Sequence, residues 1–298
     1  MQAIQTENLT KRYGKARGIE ALTLSVAQGE FFGFIGPNGA GKSTTIRTLL
    51  GLIRPTSGSA QVLGRSVTGD RRALLDEVGY LPSETAYDAG MRVRDVLRYS
   101  ASLRRRDCRA QASRLCERLE LDPARRVDEL SLGNRKKVGI VCALQHDPRL
   151  LILDEPTSGL DPLMQRAFFA LLEERSAQGA TVFLSSHVLS EIQRHCTRAA
   201  MIREGRLLAC DRVETLLGAN ARRVTLRGAA DPGALPGVRG LRRTDEGMSF
   251  LYSGEMRALI DALSGQPVDD LTIAEPDLEE VFLHDYAKGG DAHDGHEA

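Results

Sequence analysis

Residues 31–50 read FFGFIGPNGAGKSTTIRTLL. The first five residues are apolar apart from one glycine, the composition of a strand covered on both faces. The next nine, GPNGAGKST at 36–44, match the phosphate-loop pattern GxxxxGK[ST] in full. Apolar residues then recur at helical spacing, so STTIRTLLGLI at 43–53 is expected to be a helix. Strand, glycine-rich loop and helix in that order hold anionic phosphate. Gly36, Gly39 and Gly41 let the backbone turn so that its N–H groups point inward, with Pro37, Asn38 and Ala40 between them. The helix adds its positive N-terminus. Lys42 should reach the β- and γ-phosphates as a point charge. The Ser43 hydroxyl should ligate magnesium, and Thr44 should donate to the α-phosphate.

Further apolar runs carry chemistry at their ends. RLLILDEP (149–156) places Asp154 and Glu155 at the end of a strand, TVFLSSH (181–187) ends on His187, and VGYLPSE (78–84) runs from strand into loop. Strands alternating with helices imply a parallel sheet with both faces covered. Such a sheet binds its ligand outside the carboxyl ends of its strands. There Asp154 would hold the magnesium shell, and Glu155 would orient and deprotonate a water attacking the γ-phosphate. Adjacent acids before a proline can also simply begin a helix. Beside a phosphate loop the chemical reading is favoured.

Composition narrows the function classes. The chain has 298 residues, 42% of them hydrophobic, enough for one large domain or one with a small appendage. Its 40 basic and 40 acidic residues cancel, so no overall field points to nucleic acid. Aromatics are only 5% and Trp is absent, which argues against a base-stacking surface. Five scattered cysteines without a CxxC pair read as reduced thiols. No run of eighteen apolar residues would span a membrane, and MQAIQTENLTKRYG at the start lacks the apolar stretch of a signal peptide.

Residues 1–30 alternate polar and apolar, suggesting short antiparallel strands. Residues 91–128 read as mostly helical and arginine-rich, including RRR at 104–106, the pattern of a solvated helical face. After about residue 217 the texture changes. AADPGALPGVRG (229–240) looks like a long loop between strands RRVTLRG and MSFLYSG. EMRALIDALSG reads as a helix, VDDLTIA as a strand, and PDLEEVFLHDY as a last helix opened by Pro276. Residues 218–286 are therefore expected to form a small α+β appendage, followed by a disordered tail at 287–298.

The phosphate loop, GYLPSE, ELSLGN (129–134), LLILDEP, SGLD and SSH occur in the order and at the spacing of the ATP-binding cassette (ABC) ATPases, which the chain resembles over roughly residues 1–215. The resemblance implies an α/β phosphate-loop NTPase cassette over 1–217. It would have a RecA-like core, an antiparallel β subdomain and a helical subdomain at about 85–140. It implies ATP and magnesium as ligands. ELSLGN then corresponds to the signature loop, which acts on ATP held by a second subunit packed head to tail. Ser131 would donate to that γ-phosphate and Gly133 would bring its amide close. Tyr13 in TKRYG would stack on adenine, Asp161 in SGLD would couple the two sites at the dimer interface, and His187 would contact the γ-phosphate.

Two motifs depart from the family pattern. Leu132 and Asn134 stand in the signature loop where glycine and glutamine are usual. Ser83 stands where a magnesium-touching glutamine is usual, with Glu84 beside it as a possible substitute. GYLPSE, GNRKKVGIV, LLILDEPTSGLDPLMQ and PDLEEVFL are together similar to type 2 ABC exporters, notably the drug- and antibiotic-resistance group. That resemblance implies an integral membrane permease as a separate polypeptide, docked on residues 85–128 and the loop around Ser83. It also implies a second copy of the ATPase subunit in a homodimer, held at the cytoplasmic face of the cell membrane, and no nucleic-acid partner. The alternative is a soluble ABC protein acting on ribosomes or DNA. One phosphate loop, no heptad run between residues 45 and 130, and balanced charge weigh against it. A regulator that binds nucleotide without hydrolysing it is disfavoured by intact Lys42, Asp154, Glu155 and His187. The cargo is not legible in this chain.

Overall fold

A computed structural model of the chain describes residues 1–14, 16–217, 222–228, 231–232, 235–244 and 247–274. The chain divides into two compact units, Met1–Cys210 and Asp211 onward.

The first unit opens with two twelve-residue strands, β1 (Gln2–Tyr13) and β2 (Ala16–Ala27), paired antiparallel with several register shifts. They are longer than the short strands their alternation suggested. The buried residues of β1, including Ile4, Thr6 and Leu9, are those that meet the core. Next come β3 (Phe31–Ile35), α1 (Lys42–Leu49), β4 (Ser57–Val62) and β5 (Arg65–Ser66). The strands β2-β1-β4-β5 form one antiparallel sheet in that order. Helix α1 stops four residues short of its expected end. The chain turns at Gly51 (φ 65°), where the N–H groups of Leu52 and Ile53 fold back onto the Arg47 carbonyl. A left-handed glycine satisfies the last carbonyls and ends the helix.

Then follow α2 (Arg71–Leu75), capped by the Asp70 carboxylate, β6 (Val78–Leu81), α3 (Val93–Leu103), α4 (Arg109–Arg118) and α5 (Leu132–Leu144). The remaining elements are β7 (Leu150–Asp154), α6 (Pro162–Ala177), β8 (Thr181–Ser186), α7 (Leu189–His195), β9 (Arg198–Arg203) and β10 (Arg206–Arg212). The six-stranded central sheet has the order β10-β9-β3-β8-β7-β6. Strands β9, β3, β8, β7 and β6 run parallel. All residues of β3, β7 and β8 are buried, as a sheet covered on both faces requires. Phe183 of β8 packs between Phe32 and Phe34 of β3, with ring centroids 5.8 and 5.3 Å away. Burying one such ring contributes roughly 1.5–3 kcal/mol.

The second unit contains α8 (Val213–Leu217), β11 (Arg222–Gly228), β12 (Val238–Thr244), β13 (Gly247–Tyr252), α9 (Met256–Leu263) and β14 (Val268–Ala274). Its strands pair antiparallel in the order β12-β13-β11-β14. Alternate residues Val224, Leu226, Met248, Phe250 and Tyr252 form one buried face, closed by Leu259 and Leu263 of α9. Among the described residues this unit mixes strands and helices, and β12 begins at Val238, inside the stretch that reads as a loop. The last helix expected at PDLEEVFLHDY and the tail at 287–298 lie outside the described residues.

Candidate nucleotide-binding site

The register of the parallel sheet gathers the motifs. Ile35 of β3 pairs with Ser186 of β8, and Asp154 of β7 pairs with Ser185 of β8. The phosphate loop, the Asp154–Glu155 pair and His187 therefore leave one sheet edge side by side. Leu81 at the end of β6 pairs with Leu153, which brings the Ser83 loop to the same edge.

A cleft of about 400 Å³ opens there. Its walls include Pro37, Asn38, Gly39, Gly41, Lys42, Ser43, Thr44, Ser83 and Glu155, together with Gly18 from β2. Gly39 and Gly41 hold φ of 81° and 108°, conformations that favour glycine. Gly36 is required for space, because a Cβ there would lie 2.4 Å from the Ile202 carbonyl oxygen. Ala40 is buried; its N–H donates to the Pro37 carbonyl and its own carbonyl accepts from Gly205.

Lys42 is 6% exposed and its ammonium donates to the Gly36 carbonyl at 2.6 Å. It also lies 3.1 Å from Glu155 Oε1. That contact is an ion pair without hydrogen-bond alignment, so Oε1 has no hydrogen-bond donor among the described residues. Glu155 Oε2 lies 2.6 Å from Nδ1 of His187 and accepts from the His187 backbone N–H at 3.3 Å. Glu155 adopts a left-handed conformation, φ 48°, and its N–H donates to the Ser185 carbonyl. A non-glycine residue there is strained, and the surrounding bonds hold it. Lys42 and Glu155 of the cleft wall thus form a continuous polar chain with His187 beside it.

Asp154 is 2% exposed and accepts from the Ser185 hydroxyl at 3.2 Å. The Ser43 and Ser83 hydroxyls and the Asp154 carboxylate are hard oxygen donors of the kind magnesium takes. Among the described residues no cluster of three or more acids, histidines or cysteines forms. The donor set therefore fits an ion completed by phosphate oxygens and water, not a cage made by protein alone. Glu84 is exposed and is not part of the cleft wall.

The other expected residues lie elsewhere. Tyr13 ends β1, 44% exposed, with the Lys11 ammonium 5.2 Å from its ring centre. It borders Gly18, where a Cβ would lie 3.5 Å from the ring, and so flanks the cleft. Ser131, Gly133 and Asp161 are not in the cleft wall. Ser131 caps α5, its hydroxyl accepting from the Asn134 N–H at 3.3 Å. Gly133 packs so closely on the Gly159 carbonyl that a Cβ would meet it at 2.8 Å, which joins the signature loop to the SGLD loop. Asp161 caps α6 through the Met164 N–H. Leu132 and Leu163 beside these loops are 66% and 76% exposed. The sequence reading missed Gly18, and it missed Lys136, whose ammonium is buried among carbonyls behind Glu155.

A sheet edge of this kind belongs to the phosphate-loop nucleotide hydrolases. The ABC transporter family profile matches residues 19–158. The bacitracin transport ATP-binding protein BcrA of Bacillus licheniformis is 39% identical over 211 residues, covering 69% of this chain and 68% of that protein. The daunorubicin resistance ATP-binding protein DrrA3 of Streptomyces coeruleorubidus is 33% identical over 302 residues, covering 95% of each. A solved ATP-binding subunit of an ABC transporter superposes with a TM-score of 0.69 at 29% identity, covering 72% of this chain and 91% of that one. A dimeric bacterial ABC transporter cassette shares the fold with a TM-score of 0.64 at 23% identity, over 70% of this chain and 98% of its own. The chain belongs to the ABC transporter family, whose ATP-binding domains hydrolyse ATP to power transport.

Proposed function

We propose that this chain is the ATPase subunit of an exporter, working as a head-to-tail homodimer on a separate integral membrane permease. The ATPase domain spans 1–217, with residues 218–286 as an appended α+β domain. In this reading ATP lies in the cleft, its phosphates on the 36–41 loop and Lys42, its adenine on Tyr13. Ser43, Asp154 and Ser83 hold magnesium, which supplies charge neutralisation of the phosphates when bound. Glu155 takes the proton of the attacking water at Oε1, the carboxylate oxygen left without a donor. His187 orients that carboxylate through Oε2 and supplies a donor to the γ-phosphate.

The observation that supports the dimer is the joining of the Ser131 and Asp161 loops through the close Gly133–Gly159 approach, with Leu132 and Leu163 exposed beside them. A second copy in head-to-tail packing gives those groups a nucleotide to contact. ATP shared by two chains closes the dimer, and loss of the γ-phosphate releases it. The permease reading rests on the names of the relatives and on the absence, among the described residues, of any helix long and apolar enough to cross a membrane. A cavity of about 900 Å³ between α3 and α4, with Leu97, Ala101 and Leu121 in its wall and Arg94 and Arg98 beside them, supports the helical segment as the docking surface. The relatives named for bacitracin transport and daunorubicin resistance favour a drug or another hydrophobic compound as cargo. The subunit then sits at the cytoplasmic face of the cell membrane, held there by the permease.

The test is affinity purification of the tagged full chain from a mild-detergent extract, followed by mass spectrometry. The expected result is a polytopic membrane protein in a fixed ratio to the ATPase. Ribosomal or DNA-bound material without a membrane protein would overturn the exporter reading.

A further inference from the structure

Lys136 lies in α5, the helix that the signature loop opens. It is 3% exposed. Its ammonium donates to three backbone carbonyls: Pro82 at 3.0 Å, Ser83 at 2.8 Å and Glu155 at 3.1 Å. A lysine has three N–H donors, so these bonds saturate it. No carboxylate lies within ion-pairing distance of it among the described residues. The carboxylates of Asp154 and Glu155 attract it only through space, so burying the ammonium is expensive, and an apolar side chain of similar length would fill the space at less cost. What the ammonium adds is a three-way tie between segments far apart in the chain.

Each tied segment belongs to the cleft. Pro82 and Ser83 lead out of β6, and Ser83 lines the cleft. Glu155 carries the carboxylate between Lys42 and His187. Its peptide is anchored at both ends: the N–H donates to Ser185 and the carbonyl accepts from Lys136. Its φ of 48° is a conformation that needs such anchoring. The tie itself starts from α5, whose N-cap Ser131 lies about 7.5 Å, and whose Gly133 lies about 4.5 Å, along the axis from Lys136.

We infer that Lys136 is a positioning residue for hydrolysis. From the signature helix it fixes the backbones of Glu155 and of the Ser83 loop, and so transmits engagement of the Ser131 end of α5 to the hydrolytic site of the same subunit. The transmission half rests on the reading that Ser131 meets a neighbouring subunit's ATP. The positioning half does not. The groups are contiguous and belong to one helix, which is the physical connection that coupling between two sites requires.

The experiment compares the full chain with Lys136→Met, Lys136→Gln and Lys136→Arg. It measures MgATP hydrolysis, equilibrium binding of a fluorescent mant-ATP, and amide hydrogen exchange at Ser83, Glu84 and Glu155. In Lys136→Met, kcat should fall about 10-fold or more while KM and mant-ATP affinity stay within about 3-fold. Exchange at both segments should quicken. Lys136→Arg or Lys136→Gln, which keep donors at the site, should recover part of kcat. If the Met variant does not melt cooperatively, the Gln variant against wild type carries the comparison. Unchanged kcat and exchange in Lys136→Met would overturn the proposal, as would a parallel loss of affinity, which a tie to the hydrolytic groups alone does not produce. Ser131→Arg is run beside them. Normal turnover in Ser131→Arg removes the neighbouring-ATP reading and the transmission half with it, while the Lys136 series still judges the positioning role.

Discussion

His187 Nδ1 lies 2.6 Å from Glu155 Oε2, although 32 residues separate the two in the chain. The contact exists because β7 and β8 are adjacent and parallel, so the residues following each strand emerge together. It leaves Oε1 buried against the Lys42 ammonium, ion-paired with it but without a hydrogen-bond donor among the described residues.

This arrangement assigns different roles to the two residues. Glu155→Gln should lower kcat by about 100-fold or more while leaving ATP binding near normal, because the amide keeps the shape and loses the base. His187→Ala should lower kcat by about 10-fold or more with little change in KM. Steady-state hydrolysis with mant-ATP titration checks both. Near-normal turnover in Glu155→Gln would remove it as the base.

Subunit exchange tests the head-to-tail dimer directly. Lys42→Ala should abolish hydrolysis by removing the phosphate-binding cation, and Ser131→Arg should abolish it by blocking the neighbour's nucleotide. A mixed dimer of the two inactive variants contains one wholly native site, formed by Lys42 of one chain and Ser131 of the other. Mixing should therefore restore part of the activity. If both residues served the same chain's nucleotide, no mixture would recover.

The core beneath the cleft is held by Phe183, which stacks on Phe32 and tilts against Phe34. Phe183→Ala should destabilise the first unit by about 3–5 kcal/mol, from lost burial plus the cavity left behind. Urea denaturation followed by far-UV circular dichroism reads this directly.

His146 is 3% exposed, with Nε2 3.3 Å from the Val78 carbonyl. Burial, and then the charge of Arg104, lower its pKa from 6.5 to about 3. Between those values the unfolded chain binds a proton that the folded chain does not. Stability therefore falls as pH falls from 6.5 toward 3, by about 1.4 kcal/mol per unit from this residue. His146→Phe should flatten that slope in denaturation curves measured from pH 7 to 4. An unchanged slope would show that other groups set it.

Short-range patterns made much of the site legible. Lys42, Ser43, Asp154, Glu155 and His187 each stand beside an apolar strand or in a glycine loop, and local chemistry suggests the part proposed for each. Elements without such a signature were harder. RAAMIR, which became β9, carries two alanines where the legible strands carry large apolar side chains, and it pairs with β3. The end of α1 depended on a glycine adopting φ 65°, a choice set by the Arg47 carbonyl contacts. In RKK at 135–137 nothing distinguishes the buried Lys136 from its half-buried and exposed neighbours, since a basic run reads as a solvated face.

The amino-acid string was sufficient to specify a phosphate cradle, a strand-end carboxylate and a second small-residue loop before a helix, because each is a contiguous motif whose physics is local. It could not say which of these meet. Lys136 reaches Ser83 across 53 residues and Glu155 across 19, and Ser131 stays out of the cleft that Lys42 enters. Those outcomes follow from the order and register of the parallel strands, which arise from packing of the whole sheet and have no counterpart in any one stretch of sequence.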